Sequence, residues 1–305
     1  MTAFIIRRVL QMCGILALIV SLTFVLVRLA PGSPFAQERK LDPAVEQRLS
    51  QQYHLDGSLP RQLGAYWWQL LHGNLGESLK YRNRTVAEII GSALPKSAAI
   101  GGLALALALT AGIVTGSLAA ARHNTAVDRG LMLLALAGIC LPTFLIAPLT
   151  ALVFAIRLGW LPVAGWGGLA HLALPALCLA APYAAYCARL MRSSMLDVLN
   201  QDFIRTARAK GLPERRVLYR HALKIGILPL ISYAGPLAAN VLTGSMVVET
   251  IFNIPGLGPF FVSSVLNRDI FLVGGTVIVY FIILVTLNTA VDVVYTLLDK
   301  RIKLW

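Results

Sequence analysis

The chain has 305 residues, is 57% apolar and only 13% charged, and carries a net charge of +13 from 27 basic and 14 acidic side chains. This composition excludes an ordinary soluble protein and points to one membrane-embedded domain rather than the two soluble domains the length would allow. The positive charge flanks apolar runs, which fits membrane topology and anionic headgroups rather than nucleic acid. The four cysteines, Cys13, Cys140, Cys178 and Cys187, lie in apolar runs with no C-x-x-C or Cys/His spacing, so neither a metal site nor a disulfide is implied.

Residues 1–29 open with Arg7-Arg8 and continue as a charge-free apolar run over 9–27. That run is longer than a signal-peptide core and lacks a small-residue cleavage site, so it reads as an uncleaved first membrane helix with its N-terminus inside. Residues 30–96 are polar by comparison and therefore fall outside. Asp42-Pro43 predicts a helix start, with Val45, Leu49 and Tyr53 on one face. Leu59-Pro60 predicts a second helix, with Leu63, Tyr66, Trp67, Leu70 and Leu71 at helical spacing and Gly73 as the stop. Thr85 and Glu88 form a capping box for a third. These amphipathic pieces are expected on the outer surface or packed over a helix bundle, with Trp67 and Trp68 at the interface. A ligand-binding role for them is the alternative, and a substrate-delivering protein would land on this loop.

Further membrane helices are predicted over 97–121, 131–156, 171–188, 227–248 and 273–298, each about the 20 residues a bilayer requires. The second holds Gly112-x-x-x-Gly116, which is either a close helix-packing face or a chance pair in a Gly/Ala-rich stretch. Pro142 and Pro148 interrupt the third, and Pro175 and Pro182 the fourth. Trp160 and Trp166 anchor the short outside loop 157–170. In the fifth, Pro229 and Pro236 free backbone groups that cavities or neighbours must satisfy. Asn240, Thr243 and Ser245 are thus candidates for a translocation path, or polar residues bonded to a neighbouring helix. In the last outside loop, 249–272, Pro255-Gly256 and Gly258-Pro259 flank Leu257, and Phe260, Phe261 and Val265 follow. The segment is too apolar for free solution and too broken to span. Most of the Lys and Arg outside the 30–96 loop then fall on one side, giving six spans with both termini cytoplasmic. The expected organisation is 1–29 as first helix, 30–96 as outer loop, 97–298 as membrane core with a cytoplasmic loop at about 189–226, and 299–305 as tail.

Within that loop, residues 200–231 are the most strongly charged run between apolar segments, with Arg205, Arg208, Lys210, Arg215, Arg216, Arg220 and Lys224 against Asp202 and Glu214. Two short helices with a bend are predicted. Asn200 or Asp202 caps the first, Phe203, Ile204, Ala207 and Leu212 form its apolar stripe, and Gly211 with Pro213 ends it. The second runs from about Glu214 to Pro229. An amphipathic helix here suggests docking of its stripe into a groove on a soluble partner. The alternative is that the charge only orients the chain.

The run Phe203-Ile204-Arg205-Thr206-Ala207-Arg208-Ala209-Lys210-Gly211-Leu212-Pro213, followed by Arg220-His221-Ala222-Leu223 and Leu228-Pro229, resembles the coupling loop of ABC-importer permeases of the peptide and nickel branch. The opening Phe4-Ile5-Ile6-Arg7-Arg8 and the following Arg28-Leu29-Ala30-Pro31-Gly32 resemble the start of the B-type subunit of oligopeptide permeases, and the likeness runs essentially end to end. Thr206-Ala207-Arg208 stands where the wider family has Glu-Ala-Ala, which removes one acidic contact, while Gly211 keeps the spacing. The resemblance implies an all-α membrane protein with the type I importer permease fold, in a bacterial inner membrane. It implies that 203–212 docks on an ATPase subunit, and that Leu257, Phe260 and Phe261 belong to a re-entrant loop closing the outer mouth. The implied partners are a second homologous permease subunit, two ATPase subunits and an extracytoplasmic peptide-binding protein, besides membrane lipid. ATP and Mg would be bound in the partners, with no cofactor on this chain. The cargo would be oligopeptide, with dipeptide, glutathione or nickel as alternatives.

The sequence has no G-x-x-x-x-G-K-[ST] phosphate loop, no H-E-x-x-H and no nucleophile elbow, so no catalytic residue is assigned. Acids deep within the apolar runs are also lacking, whereas ion-coupled carriers need buried ionisable groups. Asp292, near the sixth helix, keeps a secondary transporter or channel as the alternative class. A membrane scaffold that recruits a soluble partner through the basic loop is the third.

Overall fold

The computed structural model describes residues 2–30, 48, 51, 53, 57–81, 83–242 and 245–298. Among them the fold is all-helical apart from an isolated bridge between Glu77 and Thr85. Five helical runs are long and apolar enough to cross a bilayer, and a bent pair makes a sixth crossing if counted as one span. The helix expected from Asp42-Pro43, with Val45 and Leu49, and the tail 299–305 lie outside the described residues.

The first helix, α1, covers Thr2–Leu29. Helix α2, Leu59–Leu71, starts with Pro60 in its first turn, where the missing N–H costs nothing, and ends at His72 followed by Gly73 with φ +74°. The capping box at Thr85 is reciprocal: the Thr85 N–H donates to Glu88 Oε2 at 3.1 Å and the Glu88 N–H to Thr85 Oγ1 at 3.2 Å. It does not start a separate surface helix, however. Helix α3 runs unbroken over Val86–Ala121, 36 residues, and passes through Pro95. At 1.5 Å per residue this is about 54 Å, well beyond the hydrocarbon thickness, so the helix protrudes from the bilayer.

Helix α4, Ala126–Cys140, and helix α5, Thr143–Thr150, continued by a π-helical stretch over Ala151–Arg157, form the bent pair. They meet at 106°. Leu141 adopts an extended conformation because it precedes Pro142, whose ring disfavours helix at the residue before it. Helix α6, Leu169–Leu199, is one 31-residue rod containing Pro175 and Pro182, and it overshoots the expected end at residue 188 by about three turns. The loop helices α7, Asp202–Ala209, α8, Glu214–Arg216, and α9, Leu223–Gly226, follow, with a π-helical stretch Val217–Ala222 between the last two. The expected fifth span is divided into α10, Leu228–Leu242, and α11, Met246–Ile251, with Ser245 as the N-cap of α11. Helix α12, Leu257–Leu266, precedes α13, Ile270–Leu298.

The chain divides into two compact units, one of Met1–Lys96 with Pro255–Val285, the other of Ser97–Ile254 with Thr286–Leu304. In the first, Phe24 stacks on Tyr66 at 5.3 Å, and Trp67 donates to Ser21 Oγ at 3.1 Å. Here α2 turns the expected face inward, with Tyr66 buried and Leu63, Trp67 and Leu70 packed around it; Gln62 is buried as well, and only Leu71 of the expected stripe is exposed. In the second unit, α3 and α6 are in backbone contact at the two glycines. A Cβ at Gly112 would overlap Cys187 Cβ, and one at Gly116 would lie 2.5 Å from Ala188 O and 2.7 Å from Met191 Cβ. The Gly112/Gly116 pair is therefore a packing face, in the small-residue manner of membrane helices.

Candidate docking loop and membrane sites

The long loop is built on the second unit. Helix α6 continues through Leu199, so Asn200 is its C-cap and donates back to Leu196 O at 3.0 Å. Neither Asn200 nor Asp202 caps α7. Gln201 holds the N-cap position without a side-chain bond, and Asp202 sits in the first turn, 3.4 Å from Arg205. There its charge favours the positive end of the helix dipole.

Helix α7 ends in a Schellman motif. The Gly211 N–H reaches Arg208 O at 2.9 Å and the Leu212 N–H reaches Ala207 O at 3.4 Å. That pattern requires the left-handed backbone of Gly211, φ +75°, where a side chain would be strained. Pro213 then caps α8, and Arg208 folds across the corner onto Glu214, with Nη2–Oε1 at 2.6 Å and Nε–Oε2 at 3.1 Å. The Arg208 guanidinium lowers the Glu214 carboxyl from its ordinary value.

The stripe inferred for partner docking faces the other way. Ile204 and Ala207 are buried in this chain's own core with Met191, Met195 and Val198 of α6, and Leu212 packs partly against that core. The outward face comprises Phe203, 37% exposed, with Arg205, Thr206, Arg208, Ala209 and Lys210. The reason is tertiary: Val217 and Ala222, also fully buried, bring the return path of the loop against the same core. The open surface of 203–212 is therefore a basic face with one aromatic on it. Tyr219, 60% exposed on the π-helical stretch, is a second aromatic on the loop; it lies with Ser117, Ala121 and Met195 at the ends of α3 and α6.

The sequence reading also missed a buried ion pair at the same end of α6. Asp128, on the first turn of α4, takes two bonds from Arg192, Nε to Oδ1 at 2.6 Å and Nη2 to Oδ2 at 2.7 Å. The Asn124 N–H adds a third at 2.9 Å, and the Asp128 N–H donates to the N-cap Thr125 at 3.4 Å. The local signal was the Thr125-x-x-Asp128 spacing of an N-cap. Its partner, 64 residues away, carries no sequence signal.

Of the path candidates, Asn240 is exposed on α10, and Ser245 Oγ accepts from the Val248 N–H at 3.4 Å as the cap of α11. Thr243 lies outside the described residues. Segment 249–272, expected to be broken by turns, contains the regular helix α12. Leu257 is fully buried, Phe260 meets Tyr81 edge-on at 5.3 Å, and Phe261 meets Tyr280 at 5.8 Å. Asp269 closes the segment. It caps α13 through the Leu272 N–H at 3.1 Å, and accepts from the Ser78 hydroxyl and, at 3.3 Å, the Lys80 N–H. Burial pushes its carboxyl up, against the pull of these donors.

Five to six apolar crossings and a basic helical loop rooted in the bundle define a multi-pass membrane permease. The chain belongs to the family of binding-protein-dependent transport system inner membrane components, whose model matches residues 112–304. It is similar to the oligopeptide transport system permease protein OppB of Salmonella typhimurium, at 44% identity over 99% of this chain and 100% of that one, and equally to OppB of Escherichia coli. It is 41% identical to the dipeptide transport system permease protein DppB of Bacillus subtilis over 100% of this chain and 99% of the relative. A crystal structure of an amino acid ABC transporter with histidines matches with a TM-score of 0.52 at 16% identity, covering 70% of this chain and 94% of that one, which shows the shared fold.

Proposed function

We propose that this chain is the membrane-spanning, non-catalytic subunit of an ATP-driven importer that takes up oligopeptides by alternating access. It works with a second permease subunit, two ATPase subunits that bind ATP and Mg, and an extracytoplasmic peptide-binding protein. Both termini and the loop 189–226 face the cytoplasm. The observation that carries the reading is the make-up of segment 203–212: an inner face, Ile204 and Ala207, fixed in the chain's own core, and an outer face, Phe203, Arg205, Thr206, Arg208, Ala209 and Lys210, open to a partner. Oligopeptide cargo is favoured over dipeptide by the name and the 44% identity of the OppB relatives against 41% for DppB. Leu257, Phe260 and Phe261 belong to the outer gate, and Asn240, Thr243 and Ser245 to the path.

The test is uptake of labelled peptides of graded length, with co-purification of the ATPase subunits, for wild type and Arg208→Glu/Lys210→Glu. Loss of both assembly and uptake is expected. Full uptake by the variant sinks the docking role, and uptake by the purified chain alone on an ion gradient sinks the importer reading.

A further inference from the structure

We propose that a groove between α4 and α6 is a binding site for an anionic phospholipid. The groove has a volume of about 490 Å³ and is lined by Arg129, Met132, Leu133, Leu136, Arg189 and Arg192. Its chemistry is divided along its length. Residues 129, 132, 133 and 136 recur at helical spacing, so α4 contributes one basic residue followed by an apolar stripe. Leu133 and Leu136 are exposed, at 66% and 47%. Across the groove α6 contributes Arg189 and, three residues on, Arg192.

The charge is unbalanced. Arg192 is committed to Asp128 through two bonds, so that pair is neutral. Arg129 and Arg189 are both exposed and have no ion pair or side-chain hydrogen bond among the described residues. Two free guanidiniums thus stand at the mouth of an apolar channel. An arginine pair is suited to a phosphate, whose oxygens accept its forked N–H groups. The apolar stripe below fits an acyl chain, which a free anion would not use.

Depth agrees with this. From Leu169 at the start of α6 to Arg189 the helix rises about 30 Å, the thickness of the hydrocarbon core. The exposed Trp160 and Trp166 precede that start, as interfacial aromatics do. The guanidiniums of Arg129 and Arg189 therefore sit at the headgroup level of the opposite leaflet, where basic pockets between membrane helices bind anionic lipids. The occupant is a two-chain lipid with an anionic headgroup, its phosphate between Arg129 and Arg189 and one chain along Leu133 and Leu136.

The experiment uses the intact transporter complex, wild type and Arg129→Gln/Arg189→Gln, studied by native mass spectrometry with added phosphatidylglycerol, with phosphatidylcholine, and with phosphatidylglycerol plus millimolar inorganic phosphate. Each basic residue at the surface contributes about fivefold in lipid affinity, so the double variant should bind phosphatidylglycerol roughly 30-fold more weakly. Phosphatidylcholine, whose choline cation offsets the charge of the same phosphate, should bind the wild type more weakly than phosphatidylglycerol and lose less in the variant, and inorganic phosphate should not displace the lipid. Equal phosphatidylglycerol binding by the variant overturns the proposal, as does displacement by phosphate, which would make the site one for a free anion. A photo-crosslinker at Leu133 of the otherwise wild-type chain decides the case if the double variant does not assemble. A phospholipid adduct in native membranes supports the site, and an adduct to another protein subunit means that a partner covers the groove.

Discussion

Adding one methyl group at each of two glycines should separate the two longest helices of the second unit. Gly112→Ala/Gly116→Ala places a Cβ into overlap with Cys187 Cβ at one site and 2.5 Å from Ala188 O at the other. Ala188 O is backbone, and so cannot turn aside; α3 and α6 must part. A gap of 0.5–1 Å forfeits roughly a quarter to a half of the dispersion attraction along the seam. Overpacking of this kind costs about 1–3 kcal/mol per site, offset by about 0.8–1 kcal/mol from the better helix propensity of alanine. The two sites are one turn apart and share the same relief, so their costs will not add fully. The double variant should lose about 1–3 kcal/mol, which lowers the midpoint of thermal unfolding by several degrees, at ~2–4 °C per kcal/mol. The assay is thermal unfolding of the purified protein in detergent beside two controls, Gly64→Ala and Gly130→Ala. These glycines have nothing within 4 Å of the added methyl, so the controls should match or exceed wild type. A double variant as stable as its controls would show that the helices do not touch at this seam.

Asp128→Ala leaves Arg192 without its partner. Because Arg192 is one-quarter exposed it can reach water, so the loss should be about 2 kcal/mol, below the 3–5 kcal/mol of a fully buried pair. Adding Arg192→Ala should cost little more, and additive losses in the double-mutant cycle would refute the pairing. Gly211→Val should strain the Schellman turn at φ +75°, although the added Cβ itself meets nothing within 4 Å. ATP hydrolysis by the assembled transporter in liposomes should then continue at reduced peptide uptake, and unchanged coupling would count against it. The bond from Arg208 depresses the Glu214 carboxyl, so its stabilisation is complete above the unfolded value and fades as the pH falls through the lower folded value. Both side chains are about half exposed, which keeps the effect below ~1 kcal/mol. Faster hydrogen exchange over 208–216 in Glu214→Gln than in wild type is expected at pH 7, with the difference closing once the pH has fallen below the ordinary glutamate range and through the lower folded value.

What was legible in the sequence follows from the range of the forces involved. Leu59-Pro60 and Gly73 marked α2 correctly because a proline at the start and a glycine past the end act within one turn. The Thr85/Glu88 box was read for the same reason. The continuity from Val86 to Ala121 was not, because a polar-to-apolar change marks the membrane boundary and not the end of a helix. Pro142 announced a break, but not its angle of 106°. The apolar spacing of Ile204 and Ala207 showed that α7 has a covered face, yet periodicity is blind to what covers it, and here it is the chain's own core. For Asp128 only the near half of the interaction was visible, the turn around Thr125.

The inward rooting of α7 has a mechanical consequence. Had Ile204 and Ala207 been seated in a partner's groove, the loop could swivel on its own flanks without moving the bundle. Both residues are instead closed into the core that holds Met191, Met195 and Val198, and close-packed interiors transmit displacement rather than absorb it. A force on Phe203, Arg205 or Lys210 therefore passes to the end of α6. That helix is continuous from Leu199 back to Leu169, so the force travels its whole length, and the Asp128–Arg192 pair carries part of it sideways into α4. On the other side the path runs through the π-helical stretch Val217–Ala222, a wide turn of the kind that recurs at functional breaks in helices. It joins α8 to α9 on the way from α6 to α10, and Val217 and Ala222 tie it to the same buried core as Ile204 and Ala207.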